Sequence, residues 1–166
     1  MLKSTFLILV LLFTAGIAKA SEVATVAPAA VTSESTAEPM ILTTTASGIA
    51  MDAAVAALKR AIINHNYTFV REQAINSRLV PYAQEVRSVR LVYFCNFAKM
   101  NHALKLDPRA AQMLPCRVTL VETPSGVDLI AVNPAWVSQN IGNSALHAEC
   151  RNLKQDYLAI LEEAAM

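Results

Sequence analysis

Three cysteines, Cys95, Cys116 and Cys150, are the residues of this chain that are best suited to chemistry. Cys95 ends one predicted strand and Cys116 begins the next. If those strands are antiparallel neighbours, the two thiols face each other at one end of the sheet, as a disulfide requires. Three interpretations of the pair stay open: a structural or redox-active disulfide, ligands of a metal or cofactor, or reduced thiols in the core.

The segment between these cysteines adds further soft ligands. It contains Met100, His102 and Met113, which together with Cys95 and Cys116 form a set that suits Cu(I) or a haem iron. The competing interpretation is that the methionines fill the core and that the histidine lies on the surface. The chain has no Cys-x-x-Cys and no Cys-x-x-Cys-His motif, which excludes the thioredoxin motif and covalent c-type haem.

Two arginines are further candidates: Arg71 lies near the end of the predicted strand 67–73, and Arg117 is next to Cys116. Arg71 or Arg117 on a sheet face would bind a carboxylate or a sulfur oxyanion through its planar guanidinium. The alternative for each is an exposed strand residue or an Arg–Glu pair. Arg117 would also lower the pKa of Cys116 if that thiol attacked a disulfide or a sulfur compound.

These residues define the predicted site at one end of the sheet. Its expected ligand-binding residues are Arg71, Cys95, Asn96, Cys116, Arg117 and Asn133. No catalytic residue is assigned, because no Ser-His-Asp order, no paired carboxylates and no phosphate-binding glycine loop can be identified. A non-enzymatic binding or accessory module is therefore favoured, and its partner would be a small molecule or a redox protein.

The elements that must position these side chains follow from hydrophobic periodicity. Strands are predicted at 40–46, 67–73, 86–95, 116–122 and 127–132, with 74–85 and the segment after Asn133-Pro134 as loops. Helices are predicted from about 51 to 62, at 97–106 and from Asn143 or Ser144 onward, with a short turn opened by Asp107-Pro108. Cys150 lies on the apolar stripe of the last helix and is expected to be a small buried hydrophobe.

This order of elements predicts the fold class. Four or five strands and two long amphipathic helices bury their apolar stripes best in a two-layer α+β sandwich with a mostly antiparallel sheet. Residues 40–164 form the single domain, because they are enough for one core and too few for two.

The N-terminus carries an export signal in this interpretation. Lys3 precedes an apolar run from Phe6 to Ile17, and Ala18-Lys19-Ala20 resembles a signal-peptidase site. Residues 1–20 are therefore a predicted signal peptide, and the Ala-, Thr- and Pro-containing residues 21–39 a disordered tether. The domain would be periplasmic or secreted, with no stable membrane span after cleavage and with its cysteines in an oxidising compartment.

Cleavage also changes the charge of the chain. The full sequence has 14 Lys and Arg residues against 13 Asp and Glu residues, and the signal removes two lysines and no acid, leaving a net charge of about −1. A nearly neutral domain is not expected to bind nucleic acid or an anionic membrane surface.

Four short motifs resemble a known family. They are Phe69-Val70-Arg71-Glu72, Tyr93-Phe94-Cys95-Asn96, Met113-Leu114-Pro115-Cys116-Arg117-Val118 and Ala131-Val132-Asn133-Pro134. Their order and spacing are similar to the domain-of-unknown-function family 302 over about residues 40–163. The resemblance implies an α+β fold like that of the TATA-binding protein and a homodimer, but no activity.

Many members of this family have Gly at the position of Cys95 and an apolar residue at that of Cys116. The chain therefore looks like a Cys-bearing branch, associated with exported proteins of bacteria that handle sulfur compounds. By analogy, the joint presence of the two cysteines implies a paired role, although fold does not determine function.

Overall fold

In a computed structural model, residues 37–75 and 88–166 are described. They form five strands, four α-helices and one 3-10 helix, η1. Along the chain these are β1 (Ile41–Ser47), α1 (Met51–Asn64), β2 (Thr68–Ala74), β3 (Val89–Cys95), α2 (Phe97–Leu106), η1 (Pro108–Met113), β4 (Cys116–Thr123), β5 (Gly126–Val132), α3 (Pro134–Ile141) and α4 (Ser144–Ala165).

The strands form one sheet in the order β1-β5-β4-β3-β2. Every neighbouring pair is antiparallel. Side chains that alternate along the strands are buried beneath α1 and α4, for example Leu42 on β1, Leu120 on β4 and Leu129 on β5. The predicted two-layer α+β sandwich with an antiparallel sheet is confirmed.

Aromatic rings connect the sheet to the last helix. Phe94 of β3 lies between Tyr67 and Tyr157, with ring centroids at 5.5 and 5.3 Å. These are edge and tilted contacts of the kind that stabilise aromatic pairs beyond their buried area. Met51, Val55, Leu58 and Ile62 are spaced by four, three and four residues along α1, and all four are buried in this core.

A second, smaller core lies where α2 and η1 meet the start of α4. Ala103, Ala110, Leu146 and Cys150 are its buried members, and Met113 packs against them. Cys150 is fully buried, as predicted. This cluster fixes α2 and η1 beside the end of the sheet from which β4 starts.

Several predicted helix boundaries are confirmed by their caps. The Asp107 carboxylate accepts a bond from the Arg109 backbone N–H at 2.9 Å, with Pro108 at the first position of η1. Asn143 caps α4 by accepting from the Leu146 N–H at 3.0 Å. Asn66, two residues beyond the end of α1, has the left-handed φ of 61°.

One predicted loop is wrong. The segment after β5 forms helix α3, in which Asn133 is the cap and Pro134 the first helical residue. The Asn133 side chain accepts a bond from the Ala135 N–H at 2.9 Å, and Gly142 ends the helix with a φ of 78°. An Asx-Pro start and a glycine end were both readable in the sequence.

The predicted signal peptide, most of the tether and most of the loop at 74–85 lie outside the described residues. In the part of the chain that is described, no helix has both the length and the apolar character needed to cross a bilayer.

Candidate functional site

The register of β3 against β4 separates the two cysteines that the sequence paired. Cys116 lies opposite Phe94, and Arg117 lies opposite Tyr93. Paired residues share a face and successive residues alternate, so Cys116 leaves the sheet on the helix-covered side and Cys95 on the other. All three cysteines are free. The predicted Cys95–Cys116 disulfide is therefore wrong for this structure, because it required a register shifted by one residue.

The proposed set of five soft ligands is also divided. The Cys95 Sγ lies 3.7 Å from the Met100 Sδ, whereas Met113 Sδ lies 3.8 Å from the Sγ of Cys150. His102 is exposed on α2. Within residues 37–75 and 88–166 no three His, Cys, Asp or Glu side chains are grouped as a metal site. The five residues do not form one centre.

The two predicted arginines flank one tyrosine. Arg71 and Arg117 are the β2 and β4 register partners of Tyr93. The Arg71 guanidinium stacks on the Tyr93 ring with its carbon 4.3 Å from the ring centroid, a cation–π contact. Both arginines are exposed, while Tyr93 is buried. Arg71 is thus engaged with an aromatic ring, and Arg117 is among the residues that line the cleft described next.

A cleft of about 190 Å³ opens beside Cys116. Its walls come from the entry to β4, the start of α3 and the middle of α4. The described residues that line it are Gln112, Met113, Leu114, Pro115, Cys116, Arg117, Val132, Pro134, Val137 and Tyr157. Among them, Arg117 is the one with an ionised side chain. We call this the Cys116 cleft.

Burial determines the protonation of the thiol in this cleft. Desolvation raises the pKa of Cys116, and the same effect raises the pKa of Tyr157 well above its usual value. The Tyr157 hydroxyl lies against the thiol, and each group affects the pKa of the other. The raised pKa keeps the thiol neutral near physiological pH, which argues against the predicted activation of Cys116 by Arg117. The cleft therefore offers a thiol and a phenol as neutral polar groups.

A group that the sequence did not reveal lies behind Cys116. Tyr67 donates a hydrogen bond to the Asp156 Oδ2 at 2.7 Å, and Lys99 donates to the same oxygen. Burial, followed by the hydrogen bond to Asp156, raises the pKa of Tyr67. Tyr67, Lys99 and Cys116 line a second hollow of about 40 Å³. Tyr67 immediately precedes β2, and Lys99, Cys116 and Asp156 come from α2, β4 and α4, so no local spacing could have indicated this group.

The two predicted asparagines have structural partners. Asn96 caps α2 by accepting from the Lys99 N–H at 3.0 Å, and its amide donates to the Asn66 carbonyl at 3.1 Å. Asn133 is completely buried. Its amide donates to the Pro39 carbonyl at 2.7 Å and to Glu38 Oε2 at 3.1 Å, while its oxygen caps α3. The polar atoms of the Asn133 side chain are thus engaged in structural contacts, and its ligand-binding role stays a prediction.

Comparison with known proteins identifies the family. The family model described as domain of unknown function DUF302 matches residues 42–164. The chain belongs to the DUF302 family. The resemblance noted from the four motifs is thereby confirmed.

A solved DUF302 structure has the same fold. The crystal structure of an uncharacterised conserved DUF302 protein from Bacillus stearothermophilus superposes with a TM-score of 0.69 at 12% sequence identity, covering 76% of this chain and 99% of that chain. At this identity the similarity concerns the fold alone. No curated protein matches the chain. The function of this DUF302 domain must therefore be argued from its own site.

Proposed function

We propose that this DUF302 domain is an exported, non-enzymatic module that binds a small organic acid in the Cys116 cleft. The observation that carries the proposal is the charge of the cleft: Arg117 is the ionised side chain among its described lining residues. A ligand carboxylate placed at this rim pairs with the guanidinium, whose planar donors match two carboxylate oxygens.

The rest of the cleft suits an uncharged body. Leu114, Pro134 and Val137 supply apolar walls, and Cys116 with Tyr157 supplies a neutral polar end. The volume of about 190 Å³ is below the roughly 300–1,000 Å³ of pockets for drug-sized ligands, which favours a small molecule. An apolar lining with a few polar groups in fixed places is the usual composition of such sites.

Binding accounts for the state of Cys116 better than catalysis does. A nucleophilic cysteine needs a lowered pKa, and burial here acts in the opposite direction. The register also leaves Cys95 on the other face of the sheet, so it is badly placed to resolve a mixed disulfide on Cys116. Recognition of a ligand requires neither a thiolate nor a second thiol.

Export belongs to the same proposal. The basic start, apolar run and Ala18-Lys19-Ala20 end of residues 1–20 are typical of a cleaved signal. Intact-mass measurement of the protein from periplasmic extracts should give a chain that begins at Ser21. A chain that still carries Met1 would overturn this part of the proposal.

The single tryptophan of the chain provides the binding assay. Trp136 lies in α3 between Pro134 and Val137, which both line the cleft. The probes are benzoate, phenylacetate and the straight-chain carboxylates from propionate to hexanoate, each with its neutral amide. We expect a saturable change in Trp136 fluorescence with at least one acid and a much weaker response to its amide.

Matched variants separate the cleft from general charge effects. Arg117→Gln should weaken binding of the acid about tenfold or more, as loss of a charge-assisted pair does. Arg60→Gln, which removes an exposed arginine on α1, should not change it. Equal binding of acid and amide, unchanged binding by Arg117→Gln, or no saturable response to any acid of the series contradicts the proposal.

A further inference from the structure

Two sulfur atoms lie close together where β3 is followed by α2. The Cys95 Sγ is 3.7 Å from the Met100 Sδ. Cys95 is the last residue of β3, and Met100 lies in the first turns of α2, whose start is fixed by the Asn96 cap. The separation of the two sulfurs is therefore set by a strand end and a capped helix, which are rigid elements.

The pair borders a hollow that is open to solvent. This hollow has a volume of about 390 Å³ and apolar walls that include Val70, Phe97, Leu114 and Pro115. Val70 and Phe97 at its rim are 50% and 54% exposed. Cys95 is buried from other directions, and both Cys95 and Met100 line this hollow, so an ion would approach the two sulfurs through it.

We propose that Cys95 and Met100 form a binding site for Cu(I). Thiolate and thioether sulfurs are the soft ligands that Cu(I) prefers. On binding, the Cys95 S–H bond breaks, a Cu–S bond forms and the proton leaves to solvent, with no change in oxidation state. The thiolate neutralises the single charge of Cu(I), so the complex can lie between apolar walls, whereas a divalent ion would keep an unbalanced charge.

The composition of the site also argues against zinc. Structural zinc takes four nitrogen, sulfur or oxygen ligands. Among residues 37–75 and 88–166, no three His, Cys, Asp or Glu side chains are close enough to hold one ion together. A site with one thiol and one thioether suits a monovalent soft ion of low coordination number. This inference is independent of the proposed binding of an organic acid.

The chain contains its own control pair. Cys150 Sγ lies 3.8 Å from Met113 Sδ, nearly the same separation. Cys150 is completely buried, with 0% of its surface accessible to solvent. The pair belongs to the small core beside α2. Met113 lines the Cys116 cleft, but the Cys150 thiol has no accessible surface from which an ion could reach it, so this pair should not bind the ion.

The test is an anaerobic titration of the purified protein with Cu(I) in competition with bicinchoninate. We expect one tight equivalent. Cys95→Ser should weaken it by more than the roughly 10–100-fold that loss of a mere supporting partner costs, and Met100→Leu should weaken it measurably while it preserves the packing volume. Cys150→Ser, Met113→Leu and Arg117→Gln should bind Cu(I) like the unaltered protein.

A melting curve for each variant verifies that it is folded. If Cys95→Ser does not fold, Met100→Leu still tests the site. X-ray absorption of the loaded protein should show sulfur ligands from Cys95 and Met100. Unchanged affinity in Cys95→Ser or Met100→Leu, an equal loss in Cys150→Ser, or a copper shell of nitrogen and oxygen alone would overturn the proposal. Arg117→Gln is measured in both experiments, and it should weaken binding of the acid while leaving binding of Cu(I) unchanged. Failure of the copper site and failure of the Cys116 cleft are therefore distinguishable.

Discussion

Phe94 lies directly opposite Cys116 in the β3–β4 pair, at the place where the sequence predicted Cys95. The difference is one residue, yet it reverses the face on which a side chain leaves the sheet. Phe94 takes the inner position because its ring fills the space between Tyr67 and Tyr157. The burial of one phenylalanine thus decides that the two thiols cannot act as a pair.

The first prediction concerns the oxidation state of the cysteines. Protein purified without reductant and then denatured should give three reactive thiols per chain, because Cys95 and Cys116 lie on different faces. Adding reductant before denaturation should not increase that number. A count of one thiol without reductant and three with it would show that the pair forms a disulfide after all.

Sequence reasoning reached the fold but not this register. Alternation in β4 and β5 and the spacing of Met51, Val55, Leu58 and Ile62 establish which faces are buried, since these patterns are local. The register of β3 against β4 depends instead on tertiary packing, here the burial of Phe94 between Tyr67 and Tyr157. No pattern within one segment contains that information.

The site residues also divide into those whose contacts are local, which the sequence could reveal, and those whose contacts are distant, which it could not. Asn133 could have been recognised as a cap, because Asn133-Pro134 has the same form as Asp107-Pro108, which was interpreted correctly as a helix start. Asp156 and Tyr67 could not have been connected, since they are 89 positions apart and meet only in the folded chain. Local caps are therefore predictable, whereas hydrogen bonds between distant elements are not.

The second prediction tests whether Arg117 activates Cys116. Because burial raises the pKa of Cys116, alkylation of this residue by iodoacetamide near neutral pH should be slower than that of free glutathione. Its rate should still be rising at about pH 9. Peptide mapping by mass spectrometry assigns the modified cysteine.

Arg117→Gln is the informative variant in that experiment. Its alkylation rate at Cys116 should equal that of the unaltered protein, because burial and the Tyr157 hydroxyl, and not Arg117, shift the pKa of this thiol. A rate about tenfold lower in Arg117→Gln would show that the guanidinium stabilises the thiolate, and would restore the redox hypothesis.

The third prediction compares two phenylalanines three residues apart. Phe94→Ala should lower the free energy of unfolding by about 3–5 kcal/mol, because it removes a buried ring that contacts two tyrosines. Phe97→Ala, at a position that is 54% exposed, should cost far less. Urea denaturation of both variants measures the difference. Similar losses would mean that Phe97 is covered in the folded protein.

The fourth prediction concerns the buried cap at Asn133. Asn133→Ala removes bonds to the Ala135 N–H, the Pro39 carbonyl and Glu38, and should cost roughly 2–3 kcal/mol of unfolding free energy. The control is Asn140→Ala, whose exposed amide donates only to the Trp136 carbonyl, and it should cost well under 1 kcal/mol. If Asn133→Ala were as stable as Asn140→Ala, the residue would be free to serve a ligand instead.

The last prediction concerns acid stability and Asp107. This carboxylate accepts hydrogen bonds from the Arg109 side chain, the Arg109 N–H and the Asn143 amide. The bond from the Arg109 side chain contributes most to holding the pKa of Asp107 well below its usual value. A lowered folded-state pKa stabilises the protein at pH values above the unfolded pKa of about 3.9, and that contribution is lost as the pH falls toward the folded pKa. Asp107→Asn should therefore be less stable than the unaltered protein at neutral pH.

The difference in unfolding free energy between the unaltered protein and Asp107→Asn should be constant above about pH 5. It should narrow as the pH falls below the unfolded pKa of the carboxylate. Urea denaturation at a series of pH values measures it. Asp52→Asn, which alters a carboxylate that is 93% exposed on α1, is the control and should remain close to the unaltered protein throughout. A gap for Asp107→Asn that does not change with pH would mean that the side chain acts there as a neutral cap, because only an ionised carboxylate makes this stabilisation depend on protons.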